Sequence, residues 1–169
     1  MKNSEKKWLE SGSWQSVVNL YQTLCNGQKL DPLLTKSNFD KARQYWESQT
    51  SKSLSLPQAL EVCQKCYEMG PFIFNNGNVF ATFAKQLVES WVKTLPSVEA
   101  QMLQLTVGHY VTGKVSRKEL TGILDFLAPS WEKFQASSTL VTLAQPQPLP
   151  EPRPEAQPAM VPARELVAS

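Results

Sequence analysis

The sequence has very few of the residues from which catalytic and metal sites are usually built, with one histidine and three cysteines among 169 residues. No Ser or Cys nucleophile with an acidic partner can be assigned to His109 from spacing, and no phosphate-binding arrangement is present. We therefore predict that the protein is not an enzyme and needs no cofactor. His109 itself is expected to be a hydrogen-bonded residue at the edge of a core.

Long apolar runs are also absent, since no stretch approaches the roughly 18 residues needed to cross a bilayer. The N-terminal segment carries charge without an apolar core behind it, which argues against a secretory signal. An odd number of cysteines then favours free thiols in a reducing compartment. We predict a cytoplasmic protein that does not bind a membrane.

Neither sign of charge is in large excess, because the formal net charge is +2. Residues 1–138 contain 15 basic and 12 acidic side chains, and residues 139–169 contain 2 and 3. A net charge of +3 on the body is too small to imply a nucleic acid or an anionic membrane as partner.

Cys63 and Cys66 have the C-x-x-C spacing of a zinc half-site or of a thiol redox pair. A zinc ion needs two more ligands, and Cys25 and His109 are the remaining cysteine and histidine. A redox pair is expected where a helix opens, whereas this pair lies inside a helix that starts near Leu56. We favour the interpretation that both thiols face inward and pack as small apolar groups. Zinc or thiol-redox chemistry is the alternative.

The chain does have one strongly apolar and aromatic stretch, residues 70–95. Apolar residues recur there at steps of three and four, as on one face of an α-helix: Val79, Phe80, Phe83, Leu87, Val88 and Trp91. Rings of this size need neighbours around much of the helix. We predict that this is the central helix of an all-α domain and that Leu95 and Pro96 end it.

Start and stop signals divide the rest of the body into further helices, giving about six in a compact bundle or orthogonal array. Capping boxes are expected to open three of them, at Ser37, Ser55 and Ser116. Trp131 and Phe134 are expected to fold one final turn onto the body.

The helix after Pro96 has apolar residues on two adjoining lines. One line is Val98, Met102, Leu105 and His109, and the other set is Leu103, Val107, Tyr110 and Val111. We expect the two to form one apolar surface.

The composition changes towards the C-terminus, where prolines recur at every second position from Pro146 to Pro154. Such a segment cannot bury enough apolar area to form a core. We therefore predict a helical domain over residues 1–138 and a disordered Pro-rich tail over residues 139–169. Leu166 and Val167 restore apolar character near its end, and they are candidate protein-binding residues.

Residues 111–127 have the pattern of a helix-turn-helix element, with Arg117 and Lys118 in the first turn of the second helix. Together with Lys114 they form the best nucleic-acid-binding candidate, because a bound phosphate would offset the cost of cations at a helix N-terminus. Glu119 lies beside them, and the chain has no other basic cluster. We favour solvated surface charge, with DNA binding as the alternative.

Phe72, Ile73 and Phe74 stand between two predicted helices and precede four polar turn residues. They can present an apolar surface to a partner, or they can close the end of the core. We predict an adaptor or accessory module that binds a protein partner through its helical body. The C-terminal tail is a further candidate contact, and a frayed terminus with no partner is the alternative. A DNA-binding protein and a small zinc or thiol-redox protein are the alternatives.

Overall fold

The structure, a computed structural model, describes residues 5–32 and 36–143, with side chains described as far as Ser138. Seven α-helices lie within these residues: α1 (Trp14–Gly27), α2 (Phe39–Thr50), α3 (Leu56–Met69), α4 (Asn76–Val92), α5 (Ser97–Val111), α6 (Arg117–Phe126) and α7 (Ala128–Leu143). The same two ranges contain no β-strand, although an isolated antiparallel bridge joins Lys6 to Leu54. The predicted all-α fold is confirmed.

Helix α4 lies at the centre and contacts α1, α3 and α5. Its three large rings are at least 94 % buried: Phe80, Phe83 and Trp91. Burial of each ring stabilises the fold by roughly 2 to 3 kcal/mol. The helix ends at Val92, three residues before the predicted end at Leu95. Thr94 Oγ1 donates to the Trp91 carbonyl (2.7 Å), and this bond accompanies a tight turn.

Capping boxes open α3 and α6, as predicted. At α3 the Ser55 N–H donates to Gln58 Oε1 (2.7 Å), and the Gln58 N–H donates to Ser55 Oγ (3.4 Å). At α6 the Ser116 N–H donates to Glu119 Oε2 (2.7 Å), with the reciprocal bond at 3.3 Å. Each box satisfies amides that the first helical turn leaves without a partner.

The capping box predicted at Ser37 is wrong. Asn38 is the N-cap of α2, and no side-chain bond caps this helix. The Asn38 amide instead donates to the Met69 carbonyl at the end of α3 (2.9 Å). This residue therefore connects two helices rather than closing its own.

The N-terminal segment and α7 pack together around tryptophan rings. Trp8 stacks on Trp131 with centroids 5.6 Å apart, and Trp131 meets Trp91 edge-on at 4.9 Å. Lys6 Nζ lies 3.6 Å from the centroid of the Trp8 ring, in cation–π geometry. The single turn predicted at residues 131–134 is therefore part of a 16-residue helix.

Helix α5 buries only one of its two apolar lines. Leu103, Val107, Tyr110 and Val111 belong to the core. Val98 and Leu105 are 75 % and 47 % exposed, Met102 between them is half-buried, and His109 is exposed. The expected single apolar surface is thus split between the core and the solvent side of the helix.

Helix α7 extends past the predicted domain boundary at residue 138, and the remainder of the predicted tail, residues 144–169, lies outside the described residues. Leu166 and Val167 belong to that remainder. Within the described ranges, none of the helices has both the length and the apolar character required to cross a bilayer.

Candidate functional site

The connection between α3 and α4 is anchored by Phe72, which is fully buried. Its ring stacks on Tyr21 with centroids 4.2 Å apart and also contacts the rings of Trp14, Phe39 and Phe80 at 5.9 to 6.3 Å. Burial, with Cys25 as hydrogen-bond partner, raises the pKa of Tyr21 to about 12. Phe72 is therefore the anchor of the connection rather than part of its surface.

Asn76 fixes the backbone of the same connection. Its Oδ1 accepts from the Phe72 N–H (3.0 Å) and its Nδ2 donates to the Phe72 carbonyl (2.6 Å), so one side chain satisfies both polar groups of that residue. These two hydrogen bonds close a local turn at the start of α4. Asn76 is also the first residue of α4, so it begins the helix and shapes the loop before it.

Asn75 ties the connection to the end of α1. Its backbone is left-handed, with φ of 59°, a conformation that asparagine tolerates better than most residues. Its amide donates to Gln28 Oε1 (3.0 Å) and lies 3.9 Å from Cys25 Sγ. On the other side, the Lys36 N–H donates to the Pro71 carbonyl (3.1 Å). The connection is therefore held by bonds to two separate parts of the chain.

Ile73 and Phe74 remain at the surface between these fixed points. They are 37 % and 36 % exposed, and they are two of the five large apolar residues exposed in the described chain. We refer to Ile73 and Phe74 as the apolar pair. An exposed apolar pair on a fixed loop can contact an apolar surface without first ordering its own backbone.

The three candidate thiols are buried, and the structure records them as free. Cys63 and Cys66 face the core from α3, as the packing interpretation predicted. Burial raises the pKa of both thiols, that of Cys66 to about 12. A thiol with a raised pKa is a poor nucleophile and a poor metal ligand near neutral pH.

The residues proposed for a zinc site are not brought together. His109 is exposed on α5, whereas Cys25, Cys63 and Cys66 lie in the core on α1 and α3. Within residues 5–32 and 36–143, no three His, Cys, Asp or Glu side chains are close enough to hold a metal ion.

The basic residues of the turn before α6 have different surroundings. Arg117 donates to Glu61 Oε2 on α3 (2.7 Å). This hydrogen bond is the main reason why the pKa of the Glu61 carboxyl lies below its usual value, and a hydrogen bond from Lys65 lowers it further. The Glu119 carboxylate accepts from the Ser116 N–H at the N-terminus of α6, where a phosphate would have to bind. Lys114 and Lys118 are exposed. The Arg117 guanidinium thus serves a contact between helices.

One surface was missed from the sequence: the solvent side of α5. Val98, Met102 and Leu105 form a line along the helix, which we call the outer stripe. The sequence did show that α5 carries apolar residues on more than one side. A helix of that kind is normally enclosed by its neighbours, so both sides were expected to be buried. Periodicity alone does not show which side remains open.

Comparisons of the chain with family models, with curated protein sequences and with solved structures find no match. Functional inference therefore depends on the geometry of the sites described above.

Proposed function

We propose that the protein is an interaction module that binds a protein partner through Ile73 and Phe74. The observation that supports this proposal is the combination of exposure and fixation. Two adjacent large apolar side chains stay at the surface on a loop that is held by Phe72 in the core and by Asn76.

Preformed geometry favours binding, because a loop that is already ordered loses little conformational entropy in the complex. The apolar pair can then contribute the free energy of removing its exposed area from water. The matching partner surface is a shallow apolar depression with polar groups at its edge, since Asn75, the residue after Phe74, is hydrogen-bonded to the amide groups of Gln28 and Asn78.

We place this module in the cytoplasm. The support is the set of three free and buried cysteines, which a reducing compartment preserves. Leu166 and Val167 are proposed as a second contact, for the same or another partner, because they restore apolar character near the end of the tail.

Selection from a random-peptide library displayed on phage tests the proposal with a defined probe. The full chain is immobilised, and the affinity of an enriched peptide is measured by fluorescence polarisation. Replacement of Ile73 and Phe74 together by Ser should weaken that affinity at least about tenfold, as expected when the central apolar contacts of an interface are removed.

The matched control replaces Val98 and Leu105 by Ser, which removes two exposed apolar side chains from another surface. This control should leave the peptide affinity within about twofold of the wild-type value. Equal affinity of both variants for every enriched peptide, or the failure of any peptide to enrich, would remove the support for the apolar pair as a binding site.

A further inference from the structure

A cleft lies where the turn after α4, the start of α5 and the first half of α7 come together. Its volume is about 370 Å³. Small-molecule sites in proteins usually have volumes of roughly 300 to 1,000 Å³. We call it the α5–α7 cleft, and residues from all three elements line it: Thr94, Pro96, Glu99, Ser130, Lys133 and Phe134.

The residues of α7 that line the cleft lie on one face of that helix. Lys133 and Phe134 follow Ser130 by three and four residues, which is the spacing of side chains that share a helical face. Glu99 follows Pro96, the N-cap of α5, by three residues. One face of α7, with a cation and a ring, therefore borders the cleft together with a carboxylate from α5.

The two charged residues of the cleft do not bind each other. Within residues 5–32 and 36–143, the recorded salt bridges and side-chain hydrogen bonds include neither the Glu99 carboxylate nor the Lys133 ammonium. The Ser130 hydroxyl likewise has no hydrogen bond recorded in these two ranges. Glu99 and Ser130 are half-buried, so they have lost part of their hydration without gaining a protein partner. Both can therefore bind the polar groups of a ligand.

Opposite charges in one cleft select for the charge pattern of the ligand. A simple anion would be attracted by Lys133 but repelled by Glu99, and a simple cation would meet the reverse. A zwitterion can place its ammonium at Glu99 and its carboxylate at Lys133, and both contacts are then charge-assisted hydrogen bonds. The cleft therefore favours a ligand that carries both charges and has no net charge.

The cleft also has a rigid apolar wall. Phe134 is partly buried against the core, and its ring centroid lies 5.5 Å from that of Trp131. Pro96 adds a second ring from the start of α5. Because both rings are already held in place, a ligand that packs against them costs little conformational entropy. An apolar side chain of the ligand matches this wall.

We propose that the α5–α7 cleft binds a small zwitterion, namely an α-amino acid with an apolar side chain. Its ammonium contacts Glu99, and its carboxylate contacts Lys133 and the Ser130 hydroxyl. Its side chain packs on Phe134. The site is separate from the apolar pair, which precedes α4, whereas the cleft follows it. The 17 residues of α4 span about 25 Å, so the proposal does not rest on the proposed function.

Titration of the full chain with L-phenylalanine up to about 50 mM, followed by amide chemical shifts, tests the proposal. We expect saturable changes at residues 94–99 and 130–134, with a dissociation constant of about 1 to 10 mM, as for other ligands of this size in an open cleft. Two analogues test the need for both charges, since N-acetyl-L-phenylalanine lacks the ammonium and L-phenylalanine amide lacks the carboxylate. Each should bind at least about fivefold more weakly.

Variants of the chain test the two charged residues separately. Glu99→Gln and Lys133→Gln should each weaken the binding of L-phenylalanine at least about fivefold, and the spectra of the free variants show that the fold is kept. The control Lys118→Gln, on α6, should leave the affinity within about twofold of the wild-type value. The absence of saturable changes at residues 94–99 and 130–134 would overturn the proposal. Equal affinity for L-phenylalanine and either analogue, or unchanged affinity in both cleft variants, would overturn it equally.

Discussion

The five tryptophans differ in whether their ring nitrogen has a partner. Trp46 Nε1 donates to the Gly12 carbonyl (2.8 Å) and so ties α2 to the segment before α1. Within the described part of the chain, the buried Nε1 atoms of Trp8, Trp14 and Trp91 have no hydrogen-bond partner. Trp46 and Trp91 are both at least 99 % buried, which makes them a matched pair for measuring one hydrogen bond.

We predict that Trp46→Phe lowers the free energy of unfolding by about 1 kcal/mol more than Trp91→Phe does. Both changes replace a buried indole by a smaller phenyl ring, but only Trp46→Phe leaves the buried Gly12 carbonyl without its donor. Urea denaturation followed by circular dichroism measures both values. An equal loss in the two variants would show that the Gly12 bond adds nothing to stability.

The buried thiols predict a loss of stability at alkaline pH. An unfolded thiol titrates near pH 9, whereas burial raises the pKa of folded Cys63 and Cys66 well above that value. Above pH 9 the unfolded chain therefore releases protons that the folded chain retains, and unfolding becomes more favourable. The stabilisation is complete below pH 9 and is lost as the pH rises towards the folded pKa.

The loss should reach about 1 kcal/mol for each thiol between about pH 8 and about pH 10. Urea midpoints at the two pH values measure it. Cys63→Ala with Cys66→Ala is the control, since this variant should lose less stability over the same interval, although Tyr21 adds a further loss above its ordinary pKa in both proteins. Parallel curves for the two proteins would contradict the account.

At the scale of the helices, one ion pair joins α3 to α6, and its contribution to stability can be measured. Arg117 and Glu61 are 2.7 Å apart, and their side chains are 56 % and 33 % exposed. Solvent screening limits such a pair to about 0.5 kcal/mol. A double-mutant cycle with Arg117→Ala and Glu61→Ala should give a coupling energy of that size.

The matching cycle uses Lys118, the next residue, which belongs to no salt bridge recorded in the described ranges. Its coupling to Glu61 should be close to zero. Coupling of the same size in both cycles would mean that general charge, rather than the contact seen here, explains the effect.

Helix starts could be predicted where the signal is local. The boxes at Ser55 and Ser116 depend on residues three positions apart, and both are present. The box at Ser37 failed because Asn38 binds a carbonyl 31 residues away, which local pattern cannot reveal. Helix α7 is longer than the single turn predicted from Trp131 and Phe134, and Pro129 lies in its first turn, where proline is tolerated.

For the molecule as a whole, the sequence predicted a central helix but not the orientation of every neighbour. The rings of α4 are strongly one-sided, so their burial could be predicted. Helix α5 has apolar residues on several sides, and which of them meets the core depends on where α3 and α4 lie. Tertiary packing therefore determines which side of α5 is buried.

The candidate binding site was predicted in part. Phe72, Ile73 and Phe74 were identified together from composition, and the structure separates them into one buried anchor and one exposed pair. That separation follows from the aromatic cluster around Phe72 and from the two bonds of Asn76. Tyr21 lies on α1, far from Phe72 in the sequence, so periodicity did not indicate the stacking that buries Phe72.

Amide chemical shifts of the full chain, recorded during titration with a peptide selected on it, test the central claim most directly. The account predicts that the largest shift changes occur at residues 72–76 and at Gln28 and Lys36, whose groups bond to that connection. Residues of the outer stripe should change little. Changes centred on α5 or on the turn before α6, with residues 72–76 unaffected, would contradict the claim that the apolar pair is the partner-binding surface.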